Sequence, residues 1–166
     1  MSACLDCGAG NPPSASLCGD CGSALGGQEA VRTSRRTVTV LFCDVVGFTS
    51  LAETVDPEAL RSQMDRYFAA ARRTVESHGG TVEKFIGDAV MAVFGLPKMH
   101  EDDGVRALRA AVALRDEVNS WASGVTELGG LGVHIGVNTG EVIAGPAGSG
   151  EAFVTGDAVN IAARLQ

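Results

Sequence analysis

The stretch Thr37 to Ser50, TVTVLFCDVVGFTS, limits the fold more than any other part of the chain. Val38, Val40 and Phe42 alternate with Thr39, Leu41 and Cys43, and both sets are largely apolar. Such a strand has no face for water, so it is expected at the centre of a sheet covered on both sides. It runs into Asp44, a carboxylate that is costly to desolvate unless a cation or hydrogen-bond donors compensate it. A metal ion would meet that need. An Asp that merely caps the turn at Gly47 is the plainer alternative.

A second carboxylate supports the metal reading. Thr81 to Phe94, TVEKFIGDAVMAVF, reads as a hairpin: a short strand, a turn near Gly87-Asp88 and a strongly apolar second strand. Asp88 opens that strand much as Asp44 closes the earlier one, so an antiparallel neighbour arrangement would bring the two carboxylates together. They would repel without a cation between them. With Mg²⁺ they become a site for phosphate chemistry, because hard oxygen ligands and substrate phosphates complete the octahedron.

With 166 residues, 45% of them hydrophobic, the chain can bury one good core and carry a small appendage. The net charge of −7 argues against a broad basic footprint for nucleic acid or anionic lipid, so neither nucleic acid nor membrane is expected as a partner. No apolar run approaches the roughly 18 residues needed to span a bilayer. Cysteines stand where a signal peptide would have its apolar core, and a cytoplasmic chain is expected.

The appendage is N-terminal. Cys4, Cys7, Cys18 and Cys21 form C-x2-C-x10-C-x2-C around a Gly/Pro/Ser loop with almost nothing to bury. Four thiolates can hold one tetrahedral structural Zn²⁺, whose binding energy replaces the missing core. Gly8 and Gly22 after each pair suit two tight knuckles. Two disulfides are the alternative, disfavoured in a reducing cytosol. We expect a zinc ribbon over 1–26, a linker over 27–36 and the main domain over 37–166. Met1 to Ala30 contains no Lys or Arg, so an interaction or regulatory role suits the ribbon better than nucleic-acid binding.

Along the main domain, Asp56-Pro57-Glu58 is a helix start, with an N-cap, proline at the first position and an acid in the first turn. Leu60, Met64, Phe68, Ala71 and Val75 give its core face, and Gly79-Gly80 ends it at His78. His100-Glu101-Asp102-Asp103 leads into a helix carrying Val105, Leu108, Val112, Val118 and Trp121; its acids suit the helix dipole better than a metal. Val133, Ile135 and Val137 alternate toward Asn138-Thr139-Gly140-Glu141, and Val142-Ile143-Ala144 returns, which reads as another hairpin. Gly145 to Gly150 lacks the Gly-Lys-Ser/Thr ending of a phosphate loop and reads as a flexible connection. Asn160 and Arg164 share a helix face, a neutral donor beside a planar cation. That pair suits an anionic phosphate, or is simply a polar outer stripe.

Taken in order, FCDVVGFTSL, VEKFIGDAVMAVFG, HIGVNTGEVIAG and VTGDAVNIAARLQ resemble the class III nucleotidyl cyclases, the adenylyl and guanylyl cyclase catalytic domains. The resemblance covers Thr37 to Gln166. It implies an α+β, ferredoxin-like domain, an antiparallel-containing sheet covered by helices, that here lacks the family's last strands. It implies that Asp44 and Asp88 hold two Mg²⁺ or Mn²⁺ ions per active site, that Lys84 recognises the purine, and that Asn160 and Arg164 position the ribose and stabilise the transition state. The reaction implied is conversion of ATP, or else GTP, to the 3′,5′-cyclic monophosphate and pyrophosphate. A homodimer with shared active sites is implied as well, the aspartates coming from one subunit and Lys84, Asn160 and Arg164 from the other. Phe153 stands where the family commonly places a purine-reading Asp or Thr, and a phenyl ring cannot hydrogen-bond a base; Lys84 keeps ATP ahead of GTP. The alternative function is a catalytically silent cyclase-like module that binds nucleotide or a protein partner. Cys43 reads as a buried small hydrophobe.

Overall fold

The structure, a computed structural model, describes residues 2–4, 7–12, 15, 17–22, 34–122, 132–145 and 154–166. The chain forms two compact units, Met1–Arg32 and Thr33–Gln166. In the first, β1 (Ser2–Ala3) pairs antiparallel with β2 (Gly10–Asn11), and Cys4 and Cys18 are its buried centre.

The second unit is built on β3 (Ser34–Val45), the middle strand of a five-stranded sheet of order β4-β5-β3-β6-β7. Its companions are β4 (Thr81–Ile86), β5 (Ala89–Phe94), β6 (Val133–Ala144) and β7 (Val154–Thr155), and every pairing is antiparallel. Helix α2 (Pro57–Ser77) precedes the β4–β5 hairpin and α3 (Asp103–Ala122) follows it, giving the β-α-β-β-α-β order of a ferredoxin-like domain. The apolar residues of β3 divide as their alternation demands. Leu41, Cys43 and Val45 join Val90, Ala92, Phe94 and the inner faces of α2 and α3 in one core, whereas Val38, Val40 and Phe42 join Met91, Val93 and the inner face of α4 (Asp157–Arg164) in the other. Both faces of β3 are covered.

Helix α2 begins as its sequence dictates. Asp56 is the N-cap, its Oδ1 accepting the N–H groups of Glu58 and Ala59 at 3.0 and 3.3 Å. At the other end His78 is the C-cap, and Gly79 takes the left-handed conformation at φ 79°. Tyr67, which the spacing argument passed over, is the largest of its fully buried side chains.

Three expectations need correction. After Gly47, the chain does more than turn: Phe48–Thr54 forms a short helix, α1, with Gly47 as a left-handed N-cap at φ 71°. The second hairpin does not exist. β6 runs without a break from Val133 to Ala144, in register with β3 from Val45↔Val133 to Ser34↔Ala144. Gly140, which suggested a turn, and Gly136 are there because α4 crosses closely. A Cβ at Gly140 would stand 3.0 Å from the Cβ of Ala158, and one at Gly136 would collide with the carbonyl oxygen of Ala162. On α3, Val105, Leu108 and Val112 are exposed, and Ala107, Ala110, Leu114 and Val118 face inward. Small residues at 107 and 110 let that helix lie close to the sheet.

Candidate active site

Asp44 is the penultimate residue of β3, and Asp88 lies in the two-residue turn, Gly87-Asp88, between β4 and β5. Because Cys43 pairs with Val90, the next residue of β3 advances toward that turn. The two carboxyl groups come close enough there for Asp88 to act directly on Asp44. Burial, then the hydrogen bond and charge of Asp88, push the Asp44 carboxyl above its ordinary value; the Val45 N–H and His134, its partner in register on β6, pull it down. Two acids in contact at a strand end, one with raised proton affinity, fit a site for a shared cation. The strand end itself is well fixed, since the buried hydroxyl of Tyr67 donates to the Cys43 carbonyl oxygen at 3.1 Å. Burial pushes the Cys43 thiol up to about 12, so it is a neutral packed group as expected.

Lys84 reaches its position through an irregularity the alternation rule could not show. Val82 pairs with Ala92, but the next pairing is Lys84 with Met91, so Glu83 is an extra residue in β4. In a regular ladder Lys84 would face Val90 and the α2–α3 core. The bulge turns it instead to the α4 side, the side that Met91 shares with Phe42 and, two residues on, Asp44. Its ammonium lies 3.2 Å from Oε1 of Glu83, whose side chain is only 3% exposed. The same oxygen accepts the Val154 N–H at 3.2 Å.

Asn160 and Arg164 are both exposed on α4, one turn apart, as the spacing required. No hydrogen bond or ion pair among the described residues joins either to Asp44 or Asp88. Phe153 lies outside the described residues. A cavity of about 370 Å³ between β6 and the start of α4 is lined by Asn138, Glu141, Gly156 and Ile161 among others, and by none of these site residues.

The N-terminal cysteines come together as their spacing implied. Their four sulfurs lie within 4.8 Å of one another, with Cys4–Cys21 and Cys7–Cys18 each at 3.6 Å. A disulfide needs about 2.05 Å, whereas the edge of a tetrahedron with about 2.3 Å metal–sulfur bonds is about 3.8 Å. The cluster is thus compatible with a zinc ribbon. Each knuckle closes through a glycine N–H, Gly8 to the Cys4 carbonyl at 2.8 Å and Gly22 to the Cys18 carbonyl at 2.9 Å. The backbone N–H groups of Cys21 and Asp20 pull the Cys18 thiol down to about 6. Asn11, which the motif does not include, ties the two knuckles. Its Nδ2 donates to the Ala9 carbonyl at 2.8 Å and to Cys18 Sγ at 3.5 Å, and its Oδ1 accepts from the Gly19 N–H at 3.0 Å.

An antiparallel ferredoxin-like domain with paired aspartates at the end of its central strand defines a class, and comparison with known proteins gives the class its family. The family profile described as the adenylate and guanylate cyclase catalytic domain matches residues 31–166, and the chain belongs to that family. An adenylate cyclase of Anabaena cylindrica is 36% identical over an alignment of 149 residues that covers 83% of this chain and 28% of that protein. Among solved structures, the adenylyl cyclase CyaB from P. aeruginosa superimposes with a TM-score of 0.72 at 34% identity, covering 81% of this chain and 73% of that one. The guanylyl cyclase Cya2 does so with a TM-score of 0.72 at 36% identity, covering 80% and 70%. The chain thus spans little more than a quarter of the length of the Anabaena relative. Among the described residues, no helix is long and apolar enough to cross a membrane.

Proposed function

We propose that the chain is a nucleotidyl cyclase catalytic domain that converts ATP, with GTP as the second candidate, to the 3′,5′-cyclic monophosphate and pyrophosphate. The observation that carries this reading is the meeting of the Asp44 and Asp88 carboxyl groups at the end of the central strand. The ribose 3′-oxygen attacks the α-phosphorus of its own nucleotide, one P–O bond forms, the bond to pyrophosphate breaks, and the hydroxyl proton is released. Two Mg²⁺ or Mn²⁺ ions held by Asp44 and Asp88 would supply charge neutralisation and a lower proton affinity at the attacking oxygen. Asn160 holds the ribose so that attack is in line. The Arg164 guanidinium offsets charge developing on the transferring phosphoryl group. Lys84 donates to an acceptor on the purine edge, which, with adenylate cyclases among the relatives, puts ATP ahead.

Asn160 and Arg164 are exposed on α4, open to a second subunit, which supports a homodimer in which each site draws Asp44 and Asp88 from one subunit and Lys84, Asn160 and Arg164 from the other. Residues 1–26 are proposed as a ribbon holding one structural Zn²⁺, residues 27–36 as a linker, and the cytoplasm as the place of action. Mixing tests the function and the sharing together. Asp44→Ala and Arg164→Ala should each abolish turnover. Combined, they should regain roughly a quarter of it, because random pairing makes half the dimers mixed and each mixed dimer has one intact site. Mixtures as silent as the separate variants would contradict the shared site.

A further inference from the structure

The bulge in β4 places two adjacent charged side chains, Glu83 and Lys84, toward the same side of the sheet, and only Lys84 has a role so far. Glu83 is not a solvated neighbour. Its side chain is 3% exposed, and one carboxylate oxygen takes both the Lys84 ammonium and the Val154 N–H, each at 3.2 Å. The other oxygen, Oε2, is buried without a hydrogen-bond partner. A buried carboxylate with half its acceptor capacity unused costs stability and calls for an explanation beyond packing. The bond it makes supplies one. β4 and β7 are the two opposite edges of the sheet, and Glu83 connects the lysine of one to the backbone of the other, next to Phe153 in sequence.

We propose that Glu83 is a positioning residue for base selection: by pinning the Lys84 ammonium to the Val154 strand, it fixes where the lysine meets the purine edge. The inference rests on the cyclase reading above and deepens it. Phe153 offers no hydrogen bond to a base, so discrimination between adenine and guanine depends on the placement of a single ammonium. An untethered lysine reaches N1 of adenine or O6 of guanine with little preference, because its long stem swings between them. A lysine held by a buried carboxylate has one direction for its remaining donors. Glu83 acts through Lys84 and does not touch the reacting atoms.

The test is equilibrium binding of fluorescent N-methylanthraniloyl ATP and GTP, with kcat and KM for the unlabelled nucleotides, in the full chain and in Glu83→Gln, Lys84→Ala and the double variant. Glu83→Gln keeps an acceptor for the Val154 N–H and removes the charge, so melting temperature should be retained. The ratio of the two dissociation constants should move by about fivefold or more toward unity, on the scale of one charge-assisted hydrogen bond. KM should rise for the preferred nucleotide with kcat little changed. In the Lys84→Ala background Glu83→Gln should have no further effect on the ratio, a coupling that a merely structural role would not produce. A ratio unmoved by Glu83→Gln but moved by Lys84→Ala would overturn the Glu83 role and leave the cyclase reading intact, as would an undiminished Glu83 effect without Lys84. A chain that binds neither nucleotide would overturn both.

Discussion

The hydroxyl of Tyr67 on α2 donates to the carbonyl oxygen of Cys43 on β3 at 3.1 Å, one residue ahead of Asp44, and lies 3.2 Å from the Cys43 sulfur. The bond is buried and links the helix layer to the strand end that carries the aspartate. Removing the hydroxyl as Tyr67→Phe leaves the ring packing in place. A loss of about 1 kcal/mol in denaturant unfolding is expected, the net worth of one buried hydrogen bond.

Asp44, with the Asp88 carboxylate beside it, gives the protein a pH dependence that is the reverse of a salt-bridged carboxylate's. The Asp44 carboxyl is raised above its ordinary 3.8 when folded, so the folded state holds that proton more tightly. The stability this adds is complete below the unfolded value and is lost as pH rises through the folded one. At neutral pH without divalent cations, Asp44→Asn and Asp88→Asn should therefore melt higher than the unchanged chain. The advantage of Asp44→Asn should shrink as pH falls through the raised value, and Mg²⁺ or Mn²⁺ with nucleotide should reverse the order. Thermal melts across pH 4 to 8 check both signs.

The five cysteines should separate cleanly by reactivity. The Cys43 thiol, pushed up to about 12 by burial, should stay unmodified by an alkylating reagent until the domain unfolds. Chelation of zinc should release the other four to the reagent while Cys43 stays protected. Asn11→Ala removes the bridge between the knuckles and should weaken zinc binding by about tenfold or more, as loss of a supporting hydrogen bond typically does. Mass spectrometry of the labelled peptides and competition with a zinc indicator are the measurements.

Gly136 and Gly140 let α4 rest on β6. Gly136→Ala would drive a methyl into the Ala162 carbonyl, a backbone atom that cannot rotate away. It should cost about 3 kcal/mol or more. Gly140→Ala has its tightest contact with the Ala158 methyl, at 3.0 Å, and should be milder. Both shift the helix that carries Asn160 and Arg164, so turnover should fall further than stability alone explains.

Those same glycines show where sequence reasoning stops. Alternating apolar residues placed β3 at the centre of the sheet, and caps and spacing bounded α2, because both signals are local. Asn138-Thr139-Gly140 looked like a turn, since a glycine required by a helix crossing from elsewhere in the chain has the same letter as one required by a positive φ. The bulge at Glu83 was equally silent: one extra residue changes the face of Lys84 without changing composition. Tyr67 and Asn11 were missed because each acts through a single long-range hydrogen bond that no spacing encodes. Four motifs were legible in their order, and the family match accords with the resemblance they carry.

The most direct test of the central claim is the conversion of ATP and of GTP to their cyclic monophosphates with Mg²⁺ or Mn²⁺, measured for the unchanged chain beside Asp88→Ala. The account predicts cyclic product from the unchanged chain, more from ATP than from GTP, and a loss of at least about a hundredfold in the variant as the metal clamp goes. Equal turnover in Asp88→Ala, or binding of both nucleotides with no cyclic product from either, would contradict it.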